Sequence, residues 1–278
     1  MQRSTLYKNQ AMHILISVPL MILISACNDQ SIKFQPSIKN GINNGTATCP
    51  TSGTTTKRLT KVMFLVDTSG SNTLWVGPNG VCSTDHTGCT PPTDPNKTFR
   101  MGSIQKYFNL YKGKSNFQWS FATFNGSTST PLVTNGNGGA AFSNATAMQA
   151  AINKFAGMTD VDDTPYHAAI TEAEKAITGD PDVSASSNPQ YIIVMFSDGF
   201  PTDYQNATDA TNDAMALIGS ASTKVSLSTV YYGQQNSTDA ISLMLSMAQV
   251  GHGQFANVND ARTGISIDDL ISGTVNCN

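Results

Sequence analysis

The chain has 278 residues, a formal net charge of −3 and 13 % charged residues, about half the share that is usual in soluble domains. This length suits one large domain or two small ones, and the 39 % hydrophobic residues suffice for a core. The sequence contains no run of basic residues, which argues against a nucleic-acid partner.

The N-terminal segment has the pattern of a secretion signal. Arg3 and Lys8 precede a nearly continuous apolar run over residues 11–26. The run is short for a membrane-spanning helix, but its length is typical of the apolar part of a signal peptide. It ends in Ile-Ser-Ala followed by Cys27, which resembles the lipobox of bacterial lipoproteins.

The lipobox resemblance implies a signal peptide over residues 1–26 and a lipid on Cys27 that anchors the chain in a membrane of the bacterial cell envelope. Asn28 stands where Asp would signal inner-membrane retention in enteric bacteria, which favours the outer membrane. The periplasm and the cell surface are the alternative locations. The alternative is an ordinary signal peptide in which the cysteine is incidental. Residues 27–56 show no hydrophobic period and are predicted to form a flexible tether.

Four cysteines remain after Cys27, an even number in an exported protein: Cys49, Cys82, Cys89 and Cys277. They allow three pairings. Cys82 and Cys89 flank a turn-rich stretch and are predicted to pair, which leaves Cys49 to pair with Cys277 across the folded domain. A zinc site is the alternative, but only His86 lies near these cysteines in the sequence.

Residues 57–278 alternate between apolar strand patterns and helical periods, with a loop insertion over residues 73–97. This alternation predicts a doubly wound α/β fold, in which a mostly parallel central sheet is flanked by helices. Strands are predicted over 61–66, 117–123, 132–133, 191–196, 225–232 and 255–258. Helices are predicted over 101–111, 148–155, 166–177, 210–218, 241–248 and 265–271, the third beginning at Thr164-Pro165.

Oxygen-bearing side chains follow two of the predicted buried strands. The sequence Asp-Thr-Ser-Gly-Ser over residues 67–71 follows the first strand, and Ser-Asp-Gly over 197–199 follows the fourth. Parallel sheets bind ligands beyond the carboxyl ends of their strands. Carboxylate and hydroxyl oxygens there, together with Thr164 at a helix start, are the donors that hard divalent cations prefer.

This pattern resembles the von Willebrand factor A (vWA) domain and its metal-ion-dependent adhesion site, the MIDAS. The matching residues are Asp-x-Ser-x-Ser, a separate Thr and a separate Asp, and the resemblance covers about residues 61–264. It implies a divalent cation, Mg²⁺ before Mn²⁺ or Ca²⁺, and a protein ligand that offers a carboxylate to it. By that resemblance the metal ligands are Asp67, Ser69, Ser71, Thr164 and Asp198.

Two features depart from the family pattern. Asp163 precedes Thr164 where the family usually has Gly. It is a possible additional metal or ligand contact, or else a helix-capping or solvent-facing acid. The insertion over residues 73–97 separates Ser71 from the next helix and leaves the same sheet edge, so it is expected to overhang the metal.

Two other functions compete with adhesion or protein binding. One is a structural subunit of an envelope complex in which the metal only stabilises the fold. The other is a hydrolase, because the segment around Asp67 superficially resembles that of pepsin-like aspartic peptidases. Those all-β enzymes need a second Asp-Thr/Ser-Gly turn, which is missing here, and no catalytic residue or enzymatic activity is predicted.

Overall fold

The computed structural model of the protein describes residues 58–77, 82, 84–185, 188–204, 206–221, 224–234 and 237–259. Its strands are β1 (Thr60–Asp67), β2 (Phe117–Asn125), β3 (Thr128–Pro131), β4 (Gln190–Ser197), β5 (Lys224–Tyr231) and β6 (His252–Asn257). Its α-helices are α1 (Thr98–Tyr111), α2 (Ala145–Ala156), α3 (Tyr166–Thr178), α4 (Ala207–Gly219) and α5 (Thr238–Val250).

The six strands form one sheet in the order β3-β2-β1-β4-β5-β6. Every neighbouring pair is parallel except β2 and β3. The doubly wound, mostly parallel α/β fold expected from the alternation of elements is therefore confirmed.

Alternate residues of each central strand contribute to two separate cores. In β1, Met63 and Leu65 pack toward α3, α4 and α5, while Val62, Phe64 and Val66 pack toward α1 and α2. A strand covered by helices on both faces needs apolar residues at every position. This explains the uninterrupted apolar runs of β1 and β4, which are buried throughout.

The edge strand expected at residues 132–133 was predicted wrongly. The strand is β3 at Thr128–Pro131, which pairs with β2 across a tight turn containing Gly126 at φ +61°. One face of this edge strand is open to solvent, so it carries no apolar run that could have marked it. The main chain of Leu132 and Val133 instead bonds to the carbonyl of Phe121.

Smaller differences concern element ends. Helix α3 begins at Tyr166, with Pro165 in the position before the helix, and β6 begins at His252. The predicted last helix over 265–271, Cys27 and the Cys49–Cys277 pair lie outside the described residues, so these stay predictions. Among the described residues, none of the helices combines the length and the apolar character needed to cross a membrane.

Candidate metal site

The candidate site lies at the carboxyl edge of the sheet, where β1 and β4 end side by side. These two strands pair in register from Thr60 with Gln190 to Val66 with Phe196. Because they are parallel neighbours, Asp67 at the end of β1 and Asp198 just after β4 meet at the same edge. Both are buried, with 0 % and 6 % of their surface exposed.

Both carboxylate oxygens of Asp67 accept hydrogen bonds. The backbone N–H of Ser69 donates to Oδ1 at 2.7 Å, and the hydroxyl of Ser197 donates to Oδ2 at 2.5 Å. The first bond follows from the tight turn after β1, and the second from the neighbouring position of Ser197 at the end of β4. Together they determine the orientation of this carboxylate.

The carboxylate of Asp198 is held by hydroxyl groups. Ser71 Oγ donates to its Oδ1 at 2.9 Å, and Thr93 Oγ1 donates to its Oδ2. Ser69 Oγ lies 3.1 Å from Ser71 Oγ. The Ser69 and Ser71 hydroxyls thus connect to the Asp198 carboxylate, which is 127 positions from Ser71 in sequence, and the N–H of Ser69 links them to Asp67.

Thr164 lies beside this network. It is 6 % exposed, and its hydroxyl would be 3.8 Å from a Cβ built on Gly199, the residue after Asp198. Two hydrogen bonds with Thr202 hold it there. The N–H of Thr164 donates to the Thr202 hydroxyl at 3.2 Å, and the Thr202 N–H donates to the Thr164 carbonyl at 3.0 Å.

Asp163 is exposed, and its main-chain carbonyl accepts a hydrogen bond from Gly126. It does not cap α3, because the residue before that helix is Pro165, which makes no side-chain cap. Asp163 is thus a solvent-facing acid, which was one of the alternatives expected from the sequence. Its neighbour Asp162 adopts φ +61° and accepts the N–H of Gly70 through its carbonyl, which supports the turn after β1.

The surroundings raise the pKa of both buried carboxylates. Burial first, and then repulsion from Asp198, raises the pKa of Asp67 to about 7. Burial also raises the pKa of Asp198, although the hydrogen bonds from Thr93 and Ser71 partly offset this. A cation between them would remove the repulsion, since it would place positive charge where two negative charges face each other.

A buried network of one arginine and two aspartates holds the main chain at the end of β1. It was not identified from the sequence. Arg100 of α1 donates to the carbonyl of Asp67 at 2.6 Å and forms ion pairs with Asp160 at 2.8 Å and Asp94 at 3.0 Å. Asp94 also accepts the backbone N–H of Phe99 and of Arg100, so it caps α1. Because Arg100 occurs in a sequence of ordinary helical pattern, nothing local marked it as buried.

The donor set fits a hard divalent cation. It contains two carboxylates and the hydroxyls of serine and threonine, all of them oxygen donors. No group of three or more His, Cys, Asp or Glu side chains able to hold a metal occurs in the described part of the chain. In a donor set of this composition, hydroxyl groups would supply much of the coordination of a cation.

The insertion borders the site. Among the described residues of 73–97, Val76 and Thr90 form an isolated bridge, and a disulfide joins Cys82 to Cys89 with an S–S distance of 1.99 Å. A cleft of about 250 Å³ opens between this insertion and the end of β5. Its lining residues are Ser71, Val76, Thr90, Pro91, Thr93, Asp198, Tyr231, Gln234 and Ser237.

Exposed apolar side chains surround this edge of the sheet. Leu74, Trp75 and Val76 lie in the insertion, Val161 lies in the loop before α3, and Phe200 follows Asp198 by two residues. Each is at least 36 % exposed. Trp75 stacks on His86 of the same insertion with ring centroids 4.4 Å apart. These loops thus present several exposed apolar side chains.

Solved structures share this fold, whereas no protein-family model and no curated protein matches the sequence. The pilus adhesin SpaC from Lactobacillus rhamnosus GG matches with a TM-score of 0.50 at 11 % identity, covering 74 % of this chain and 29 % of that chain. A von Willebrand factor type A protein from Catenulispora acidiphila matches with a TM-score of 0.48 at 10 % identity, covering 74 % of this chain and 40 % of that chain. Manganese-loaded TRAP from Plasmodium vivax matches with a TM-score of 0.44 at 17 % identity, covering 68 % of this chain and 63 % of that chain.

The chain spans less than two thirds of the length of each of these three proteins. At such low identities the likeness concerns the fold alone, and that fold is the vWA type. The vWA resemblance of the sequence is therefore confirmed as far as the fold is concerned.

Proposed function

We propose that the chain is a lipid-anchored protein of the bacterial cell envelope that binds a protein ligand through a divalent cation. Asp67, Ser69, Ser71, Thr164 and Asp198 would hold the cation, with Mg²⁺ as the first candidate and Mn²⁺ or Ca²⁺ as alternatives. The observation that carries the proposal is the pair of buried carboxylates at the carboxyl edge of the sheet, connected through the Ser69 N–H and the hydroxyls of Ser69 and Ser71.

The surroundings of the site favour a protein as the ligand. An acidic side chain of the partner would complete the coordination of the cation, and its apolar neighbours would contact Leu74, Trp75 and Phe200. A cation held only for stability would need no such exposed apolar surface around it. This argues for binding over the purely structural role.

An aspartic peptidase activity is not proposed. Such enzymes require two carboxyl groups that share a proton within an all-β fold. The fold here is α/β, and the carboxylates of Asp67 and Asp198 accept their hydrogen bonds from separate partners, Ser69 and Ser197 on one side and Ser71 and Thr93 on the other. We therefore propose a binding protein without catalytic residues.

Thermal unfolding with and without cation tests the metal site. At a free cation concentration of about 100 Kd, binding stabilises a protein by about 2.7 kcal/mol, so the wild-type Tm should rise by roughly 5–10 °C above its value in EDTA. Asp67→Asn should show no rise, and in EDTA it should be at least as stable as the wild type, since one buried charge is gone. Asp163→Asn, which changes an exposed acid nearby, should keep the rise.

A peptide-display selection tests the ligand. Peptides retained by the Mg²⁺-loaded protein and released by EDTA should be enriched in Asp or Glu beside apolar residues, and Asp67→Asn should retain none of them. A wild type with no cation-dependent change in Tm and no heat of cation binding would refute the metal site. Cation binding without acidic enrichment would instead support the structural role.

A further inference from the structure

The insertion contacts the candidate metal site through Thr93. The main chain there is held against the turn after β1, because the N–H of Thr93 donates to the carbonyl of Ser71 and the N–H of Asp94 donates to the carbonyl of Asn72, both at 3.2 Å. The Thr93 hydroxyl then reaches Oδ2 of Asp198.

Thr93 and Ser71 bind different oxygens of the Asp198 carboxylate. Ser71 donates to Oδ1 and Thr93 donates to Oδ2, so the carboxylate is held from two sides in one orientation. Each carboxylate oxygen can accept more than one interaction. Both oxygens therefore keep the capacity to interact with a cation or with a water molecule bound to it.

Thr93 itself sits in a rigid position. The next residue, Asp94, is 5 % exposed, caps α1 and pairs with the buried Arg100, while Arg100 donates to the carbonyl of Asp67. The insertion is thus anchored beneath the site through Asp94 and reaches the site itself through Thr93. A residue held in this way can orient a neighbouring carboxylate without first losing conformational freedom.

We propose that Thr93 is a positioning residue of the cation site, and that the insertion thereby forms part of that site. This inference rests on the proposed function. It adds a hydroxyl group outside the five residues implied by the vWA resemblance, and it assigns a role to the insertion that separates Ser71 from α1. Residues that hydrogen-bond to metal ligands typically alter metal affinity by roughly 10- to 100-fold when they are removed.

Isothermal titration of Mg²⁺ and Mn²⁺ into three variants and the wild type tests this role. Thr93→Val replaces the hydroxyl with a methyl group of similar size and should weaken cation binding by about 10-fold or more. Thr93→Ser restores a hydroxyl and should bind within about threefold of the wild type. Thr90→Val, at an exposed position of the same insertion that also lines the cleft, should bind like the wild type.

The Tm in EDTA separates positioning from a general structural role. We expect Thr93→Val and Thr90→Val to unfold at similar temperatures in EDTA while their cation affinities differ. Equal affinity of Thr93→Val and the wild type would overturn the proposal, and tighter binding by Thr93→Val would show that the hydroxyl competes with the cation. If the wild type binds no cation at all, the proposed function fails, and this inference fails with it.

Discussion

At the scale of single residues, the buried Asp67 and Asp198 make the protein without cation sensitive to pH. The pKa of Asp67 is raised to about 7, so the folded protein binds its proton more tightly than the unfolded chain does. The associated stability is fully present below the ordinary pKa of about 3.9 and is lost as the pH rises toward 7. At neutral pH a bound cation would offset this loss.

A second ionisable pair joins the first turn of α3 to α4. Nδ1 of His167 in α3 lies 2.5 Å from Oδ2 of Asp213 in α4, and the hydroxyl of Tyr204 donates to the same oxygen. The hydrogen bond to Asp213 raises the pKa of His167 above its ordinary value despite partial desolvation, and the nearby Asp203 adds to the increase. The histidine remains 60 % exposed, so the gain in stability is small.

We predict that Asp213→Asn lowers the pKa of His167 toward the ordinary value of about 6.5. Stability from this pair is fully present below that ordinary pKa and is lost as the pH rises through the raised pKa of the folded state. Titration of the His167 ring resonances by NMR measures the change, with Asp239→Asn on α5 as a control that should leave the titration unaltered. An unchanged His167 pKa in Asp213→Asn would contradict the assigned pair.

At the scale of elements, close packing between the ends of β4 and β5 determines where Asp198 lies. A Cβ built on Gly233, just after β5, would be 1.9 Å from the carbonyl oxygen of Asp198 and 2.6 Å from the hydroxyl of Tyr231. Any larger residue at this position must displace the backbone of Asp198. By contrast, a Cβ built on Gly102 in α1 meets no atom within 4 Å.

Two glycine substitutions should therefore have opposite effects. Gly233→Ala should destabilise the protein by about 1–3 kcal/mol through overpacking and should weaken cation binding, because Asp198 moves. Gly102→Ala should stabilise it by about 0.5–1 kcal/mol, since alanine loses less backbone entropy in a helix. Urea unfolding midpoints measure the stability, and titration calorimetry measures the cation affinity. If Gly233→Ala leaves the free energy of unfolding unchanged, the loop accommodates the added methyl group and the proposed overpacking is wrong.

At the scale of the whole molecule, the sequence predicts a domain tied to a membrane by its N-terminus. The tether over 27–56 would let the cation edge reach a partner at some distance from the lipid. This expectation belongs to the proposed function of a lipid-anchored binding protein.

Cys27→Ser should abolish lipid attachment and release the protein from the membrane fraction or leave it uncleaved. Metabolic labelling with a radioactive fatty acid checks this prediction, and Cys82→Ser serves as a control that should keep the label. Equal labelling of Cys27→Ser and the wild type would refute the lipobox interpretation.

Local sequence patterns predicted the fold class, and together with the vWA resemblance they indicated the candidate ligands. Apolar runs such as that of β1 and helical periods such as that of α3 are local patterns, and they are strong because each strand or helix buries a defined face. The spacing of Asp67, Ser69 and Ser71 is likewise local. The rule that parallel strands bind ligands at their carboxyl ends was enough to place Asp198 at the same edge.

The side chains that orient these candidate ligands could be identified only from the folded chain. Ser197 reaches Asp67 because β1 and β4 are neighbours, and Thr93 reaches Asp198 because the insertion folds back over the edge. Arg100 is buried because Asp94 and Asp160 converge on it from two loops. Apart from the Asp94–Arg100 pair, these contacts join residues 60 to 130 positions apart, and their identity depends on strand order and loop path, which no local pattern encodes.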